Sequence, residues 1–513
     1  MELKTILGYL QEKTILVTGA TGFLAMVFLE KILRVQPDVK KVYLLLRAPD
    51  TNSANDQMHN EIIGKALFKV LREKLGADFD SFISEKVVAV PGDVTSENLG
   101  VQDFKLREEM FTEIQIILNS AATTNFDERY DIALDVNTFG VLHVLSFAMK
   151  CILLEMLLHV STAYVCGERE GLIPEDSSSF MDEKAKGTTK FNFQVREKKV
   201  VEKKLNELKA RGASEENIRS TMKDFGIERA KLYGWPNTYV FTKAMGEIFL
   251  ENSRENLPLV IIRPTVVTST YKEPFPGWIQ GFRTIDSVIA AYCKGKLTCL
   301  LVDPMSVFDM VSSKSINLLM PPNTTYNYIY IPVDMVVNSI ISAMVVNANQ
   351  SSIVIYHVGS SFGNPIQFCD IHNFVFRHFT KSPWVNKDGN AVKVGKCTMF
   401  RTMASFRMYM QICFMIPLQG LKFVSKASGG YFQDMYVNNS RKLTLVMRLV
   451  ELYKPYMLFK GIFDDNNSEE LQKLTSECYI DAKEFNFDPK CIDWEDYFMN
   501  THIPGLRKHV MVQ

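Results

Sequence analysis

Thr14–Thr18 is a short apolar run that ends on Gly19-Ala-Thr-Gly22-Phe-Leu-Ala25 and passes directly into residues 26–34, whose apolar positions recur at helical spacing. A second apolar run, residues 42–46, follows after Pro37. Strand, glycine turn, helix and strand in this order predict the first half of a dinucleotide-binding sheet. Gly19 permits a tight turn, Gly22 lets the backbone approach a pyrophosphate, and Ala25 is small enough for close helix–strand packing. The N–H groups that open the helix are then donors for phosphate. Cofactor contacts are therefore expected from Thr18, Gly19, Thr21, Gly22, Phe23, Leu24 and Ala25.

Further strands are expected at 87–90, 114–119 and ending at 159–161, with a helix from Asn137 to about Lys150. The sheet resumes at 259–263, turns at Pro264, and has late strands at 328–333 and Ile353–Val358. This alternation predicts an α/β fold: a Rossmann-like, mostly parallel sheet. Residues 168–235 break the rhythm with a highly charged stretch, read as a solvated helical insertion, or as a lid because it ends close to Tyr239. After about residue 375 the pattern turns helical, at 408–418 and 441–453, so the chain divides into 1–374 and a second, mostly helical domain, 375–513.

Bulk composition narrows the function by exclusion. The 513 residues carry 58 basic and 58 acidic side chains, which provides no general argument for a nucleic-acid partner. Nine irregularly spaced cysteines without a CxxC pair suggest neither a disulfide framework nor a thiolate metal site, and no metal is expected. No apolar signal core or transit-like stretch is evident at the N-terminus, and the longest apolar tracts are too short for a conventional span, so a soluble chain is expected. Peripheral membrane contact stays open, with 406–414 as a candidate aromatic surface. Nothing in the sequence sets the oligomeric state.

Arg47, after the second strand, suits a 2′-phosphate, so NADPH is expected over NADH; Asp50 is the competing residue. Asp93 is a candidate adenine-edge contact, and Asn119-Ser-Ala-Ala122 is placed to border the nicotinamide. Tyr239-x-x-x-Lys243 puts two side chains one helical turn apart. The tyrosine is suited to protonate a forming alkoxide and the lysine to support it, so both are also expected to touch the cofactor. Thr162, at another strand end, is expected to share the carbonyl oxygen with Tyr239, and Asn137 to organise a lysine-linked water path. Thr162 as an esterase-like nucleophile lacks both a GxSxG elbow and an identifiable base. His143, His159 and His357 read as packed or hydrogen-bonded residues.

These residues resemble the extended short-chain dehydrogenase/reductases, and within them the plant-type alcohol-forming fatty acyl-CoA reductases. The resemblance rests on Thr18-Gly-Ala-Thr-Gly-Phe-Leu-Ala25, Val160-Ser-Thr-Ala-Tyr-Val165, Tyr239-Val-Phe-Thr-Lys243, Ile262-Arg-Pro-Thr265, Pro274-Phe-Pro-Gly-Trp-Ile279, Ile331-Pro-Val-Asp334 and Tyr356-His-Val-Gly-Ser360. Residues 375–513 resemble the family's male-sterility region. The resemblance implies NADPH-dependent, four-electron reduction of a long-chain acyl-CoA to a primary alcohol through an aldehyde, without an acyl-enzyme. It assigns Thr162 as the active-site hydroxyl, Tyr239 as proton donor, Lys243 as its support and Asn137 as the relay asparagine. The separation of 77 positions from Thr162 to Tyr239 matches the insertion-bearing members. An aldehyde-forming reductase and a noncatalytic NADPH-binding scaffold are the alternatives. Phe275, Trp278 and Phe282 are candidates for an acyl tunnel, and Lys387, Lys393 and Lys396 for the CoA phosphates. Family precedent implies the endoplasmic reticulum, peripherally on its cytosolic face, with the cytoplasm as the alternative.

Overall fold

The structure is a computed structural model that describes residues 4–176, 190–302 and 330–511. Seven strands form the main sheet: β1 (Thr14–Thr18), β2 (Lys41–Leu46), β3 (Val87–Pro91), β4 (Ile116–Asn119), β5 (Met156–Val160), β6 (Leu259–Pro264) and β7 (Ile353–Val358). Their order is β7-β6-β5-β4-β1-β2-β3, and every pairing is parallel. The order reverses between β1 and β4, so a crevice opens there at the carboxyl ends of the strands, where ligands of such sheets bind.

Alternation along each strand explains why the runs are almost wholly apolar. Ile15 and Val17 of β1 face one core layer while Leu16 faces the other; Val260 and Ile262 of β6 divide from Ile261 in the same way. Both faces are covered, as a parallel sheet requires. One cover includes α1 (Phe23–Val35) and the helix Val333–Val346; the other includes the helix Gly140–Ala148. The continuous run Tyr130–Ala148 is long and apolar enough to cross a membrane, but more than half of it is buried inside the fold.

Three expectations change in detail. The strand expected at 328–333 is described as Tyr330–Pro332, and it pairs with Val266–Thr268 outside the main sheet; residues 328 and 329 lie outside the described residues. Pro264 lacks the N–H that would carry β6 further into the ladder. The charged insertion forms helices Lys190–Ala210 and Glu215–Leu232, while residues 177–189 lie outside the described residues. Its helices are not simply solvated. Phe193, Val201, Ile218, Met222 and Ala230 pack against Phe241 and Met245 of α2 (Thr238–Ser253), so the insertion buttresses the helix that carries Tyr239 and Lys243.

The chain after residue 374 is divided between two places. Residues 461–511 return to the main body, where Leu471, Phe485, Tyr497 and Leu506 join the same core as α1. The segment before them includes the helix Ile416–Ala427 and α4, the 25-residue helix Gln433–Met457, which contains no fully buried residue; α3 denotes the helix Thr284–Cys293.

Candidate active site

Gly19 adopts φ 67°. A Cβ at Gly19 would lie 2.7 Å from the backbone of Ala121. Only glycine satisfies both that angle and that approach. Gly22 donates its N–H to the Gly19 carbonyl (2.8 Å) and caps α1 without a side chain. The first amides of α1 therefore have no partner within the helix and point into the crevice as an anion site. Ala25 is buried where α1 meets the sheet.

A file of buried polar groups crosses the strand ends behind this turn. Thr18 donates to Asn119 Oδ1 (2.7 Å) and accepts from the Ala121 N–H (3.2 Å). The Asn119 amide lies 3.0 Å from His159 Nδ1, and His159 Nε2 lies 3.2 Å from Lys243 Nζ. With the Asn119 amide oriented this way, the imidazole carries its proton on Nε2 and faces a neutral lysine; a charged lysine requires the other tautomer and a turned amide. The state of Lys243 and the tautomer of His159 are thus linked. His159 is the packed, hydrogen-bonded residue that its strand position implies, and its place three residues before Thr162 is what brings it to the site.

Lys243 also donates to the Val160 carbonyl (2.7 Å). Burial pulls its ammonium down to about 8, opposed by Glu247 one turn along α2. The Tyr239 phenol shares a hydrogen bond with Thr162; burial pushes it up to about 12, while Thr162 and the positive Arg283 pull it down. Thr162 is held in place as the cap of the turn Ala163–Cys166. Asn137 lies in the π-helical turn Asp135–Phe139 and is fully buried. It bonds the backbone of Thr123 in both directions and Thr242 Oγ1, each at 3.0 Å. It therefore reaches the neighbour of Lys243 rather than the lysine itself, and fixes the loop after β4 to α2.

Gly22, Phe23, Leu24, Ser120, Thr162, Tyr239, Lys243 and Arg283 line one cleft of about 510 Å³. Its far wall is α4, through Leu449, Leu452, Tyr453 and Tyr456. Among the described residues none of 190–235 lines it, and the cover on this side comes from the C-terminal helix. Asn237, the cap of α2, donates to Tyr456 Oη (2.7 Å), and Arg448 pairs with Asp127 (2.9 Å). Phe126 stacks between Tyr239 and Tyr456, with ring centroids 6.0 and 4.8 Å away. Phe282 lines the cleft, Trp278 packs behind Phe23 (5.5 Å), and Phe275 lies against His509 (6.0 Å). Lys387, Lys393 and Lys396 are exposed and do not line it.

The residues fit a dinucleotide phosphate. Arg283 packs over the Phe23 ring at the turn (5.1 Å), and its buried Nε has no hydrogen-bond partner among the described residues. The buried Ser161 hydroxyl also has no partner among the described residues. Arg47 is exposed at the end of β2 with no ion-pair partner among the described residues, whereas Asp50 is engaged as the cap of Thr51–Gln57 through the Ser53 N–H (2.8 Å). Asp93 accepts from the N–H and hydroxyl of Thr95, both at 2.9 Å, which shapes the loop after β3. Among the described residues no cluster of metal ligands is present.

Two family models, both described as male sterility protein, match residues 17–340 and 413–513. The fold is shared with the reductase domain of a nonribosomal peptide synthetase from Mycobacterium tuberculosis, at TM-score 0.55 and 14% identity over 99% of this chain and 93% of that one. An alcohol-forming fatty acyl-CoA reductase of Simmondsia chinensis is 49% identical over 512 residues, 99% of each chain. The probable fatty acyl-CoA reductase 5 of Arabidopsis thaliana is 51% identical over 517 residues, 100% of both. With about half of all positions identical from end to end, the chain belongs to the plant-type alcohol-forming fatty acyl-CoA reductases.

Proposed function

We infer that this chain reduces a long-chain acyl-CoA to a primary alcohol and free CoA, using two NADPH in turn at one site. The observation that carries the reading is the Tyr239–Thr162 hydroxyl pair, set in one cleft with the glycine turn. NADPH, when bound, supplies hydride to the carbonyl carbon. Thr162 and Tyr239 donate hydrogen bonds to the carbonyl oxygen, where negative charge develops. Tyr239 gives up its proton to that oxygen, and the Lys243 cation favours the tyrosinate left behind. The first reduction leaves a hemithioacetal, which collapses to an aldehyde as the CoA thiol departs. The same proton donor serves the aldehyde in the second reduction. No cysteine lines the cleft, so the acyl group stays on CoA until that collapse.

In this reading Gly19, Gly22 and the first amides of α1 hold the pyrophosphate, Thr18 and Asn137 hold the loops that flank it, and Asp93 borders the adenine. Residues 1–374 form the catalytic unit, and 375–513 supply the substrate-facing wall. Val266, Val267, Phe282, Leu449 and Leu452 give the cleft an apolar side suited to the acyl chain. The enzyme sits peripherally on the cytosolic face of the endoplasmic reticulum, where its substrate partitions. The test is NADPH consumption with product identification across acyl-CoAs of increasing length. Two NADPH consumed per alcohol formed is expected; an aldehyde that accumulates in excess NADPH overturns the four-electron reading.

Arg47→Ala is expected to raise the Kd for NADPH by about 10- to 100-fold, the worth of a charge-assisted hydrogen bond, and to leave NADH binding unchanged. Equal losses for both dinucleotides would remove Arg47 from the 2′-phosphate. The pH profile follows from Lys243. Below about 8 the lysine is charged and supports the tyrosinate; above it the charge is lost while Tyr239 still holds its proton. Aldehyde reduction should therefore fall as pH rises through about 8, and the slow residual rate of Lys243→Met should show no such limb. A wild-type profile flat to pH 10 contradicts this role.

A further inference from the structure

Exposed large apolar side chains are concentrated in one part of the molecule. Of 23 such residues among the described ones, 11 lie between Met408 and Leu449. Phe423 is 71% exposed, Tyr431 81%, and Ile412 59%. The helix Ile416–Ala427 buries Ser425 alone and α4 buries nothing fully; α4 rests on Leu301 and Phe406 through Leu443 and Met447, and the rest of this helical hairpin faces outward. The chain as a whole is charge-balanced, yet residues 411–447 carry four basic side chains and one acidic. Lys422, Lys426, Arg441 and Lys442 are exposed and enter no ion pair among the described residues. A second copy of the hairpin would bring like charges together; an anionic surface is complementary to it.

We propose that the hairpin 411–447 is a membrane-docking element that inserts its apolar side chains among the acyl chains of an anionic bilayer and sets its lysines and arginines among the headgroups. This deepens the peripheral attachment proposed above and rests on that reading for the identity of the substrate. Apolar and aromatic residues beside basic ones are what an interfacial helix needs, because burial of the former and attraction of the latter add. The hairpin also connects to the chemistry. α4 begins two residues after Tyr431 and ends with Leu449, Leu452, Tyr453 and Tyr456 in the cleft. At 1.5 Å per residue, Gln433, next to that exposed end, and Tyr453 are about 30 Å apart along the helix. An acyl chain leaving the bilayer thus has a continuous helical guide from the membrane face to Tyr239.

Flotation of the full-length protein with phosphatidylcholine vesicles, with and without one-third phosphatidylserine, tests this. The wild type should float with the anionic vesicles, and Phe423→Glu/Tyr431→Glu should float at least tenfold less. Lys422→Glu/Lys426→Glu should lose the anionic preference in particular. Both variants should reduce a short, water-soluble aldehyde at the wild-type rate without vesicles, and turn over vesicle-borne long-chain acyl-CoA several-fold more slowly. The proposal is overturned by a wild type that does not float, or by variants that float equally well. A wild-type dimer that the Phe423→Glu/Tyr431→Glu variant dissociates, with vesicle binding unchanged, also overturns it and assigns the surface to a second copy. Flotation without any acyl-CoA reduction refutes the enzymatic reading and leaves the docking element standing; reduction without flotation does the reverse.

Discussion

Tyr239→Phe is expected to lower both acyl-CoA and aldehyde reduction by about a thousandfold, within the range that a positioned general acid contributes. The ring and its stacking on Phe126 persist in the variant, so the cleft keeps its shape. Cofactor affinity should change little, because the glycine turn, α1 and Arg47 are untouched. The Thr162 hydroxyl remains to polarise the carbonyl oxygen but has no lysine behind it to support a lost proton. Single-turnover hydride transfer, read from NADPH absorbance, distinguishes a chemical defect from a binding defect. Turnover within tenfold of wild type would mean that another group, or water, protonates the alkoxide.

Arg263→Leu should produce the largest loss of stability. The guanidinium is fully buried on β6 and meets the buried Glu247 of α2 through Nη2 (2.6 Å) and Nε (3.2 Å to each oxygen). It also donates to the Asp176 carbonyl (2.9 Å) and faces His357 (3.4 Å). Removing it strands a carboxylate in the interior, at a cost of about 3–5 kcal/mol. That is a large share of the roughly 5–15 kcal/mol that holds a typical domain together. For a chain of this length the thermal midpoint should fall by about 3–5 °C. Adding Glu247→Leu should restore most of it, since a buried ion pair is worth little more than apolar groups of similar volume. A double variant no more stable than the single one would show that Arg263 acts through its contacts with Asp176 and His357 instead.

The same pair shows where sequence reading stops. Arg263 belongs to the motif Ile262-Arg-Pro-Thr265, and Glu247 follows Lys243 by one turn, but nothing local says that the two meet across 16 residues of chain. His159 is a similar case. As a residue of an apolar strand it reads as core, and only the arrival of Asn119 from β4 and Lys243 from α2 turns it into a link between the glycine turn and the proton donor. Arg283 was not legible at all: it lies in no motif, and it enters the cleft because α3 starts beside Phe23. The cover of the cleft was beyond reach for the same reason. Charge in the insertion suggests solvated helices, with a lid as the alternative, whereas its apolar side chains pack behind α2 and, among the described residues, a helix some 200 residues further along lines the far side of the cleft.

What the sequence determined alone is local and periodic: the alternating strands, the turn that only Gly19 can make, and the one-turn spacing of Tyr239 and Lys243 on a helix. Those features depend on backbone sterics and on periods of two and 3.6 residues, which any window of the chain displays. Tertiary structure decided everything that depends on distance across the chain. It brought Thr162 to Tyr239, set Asn137 beside Thr242 and not Lys243, shifted both the Lys243 and Tyr239 protons by burial, and left one charged, apolar hairpin outside the core. Those outcomes come from packing and desolvation, which exist only once segments far apart in sequence share the same interior.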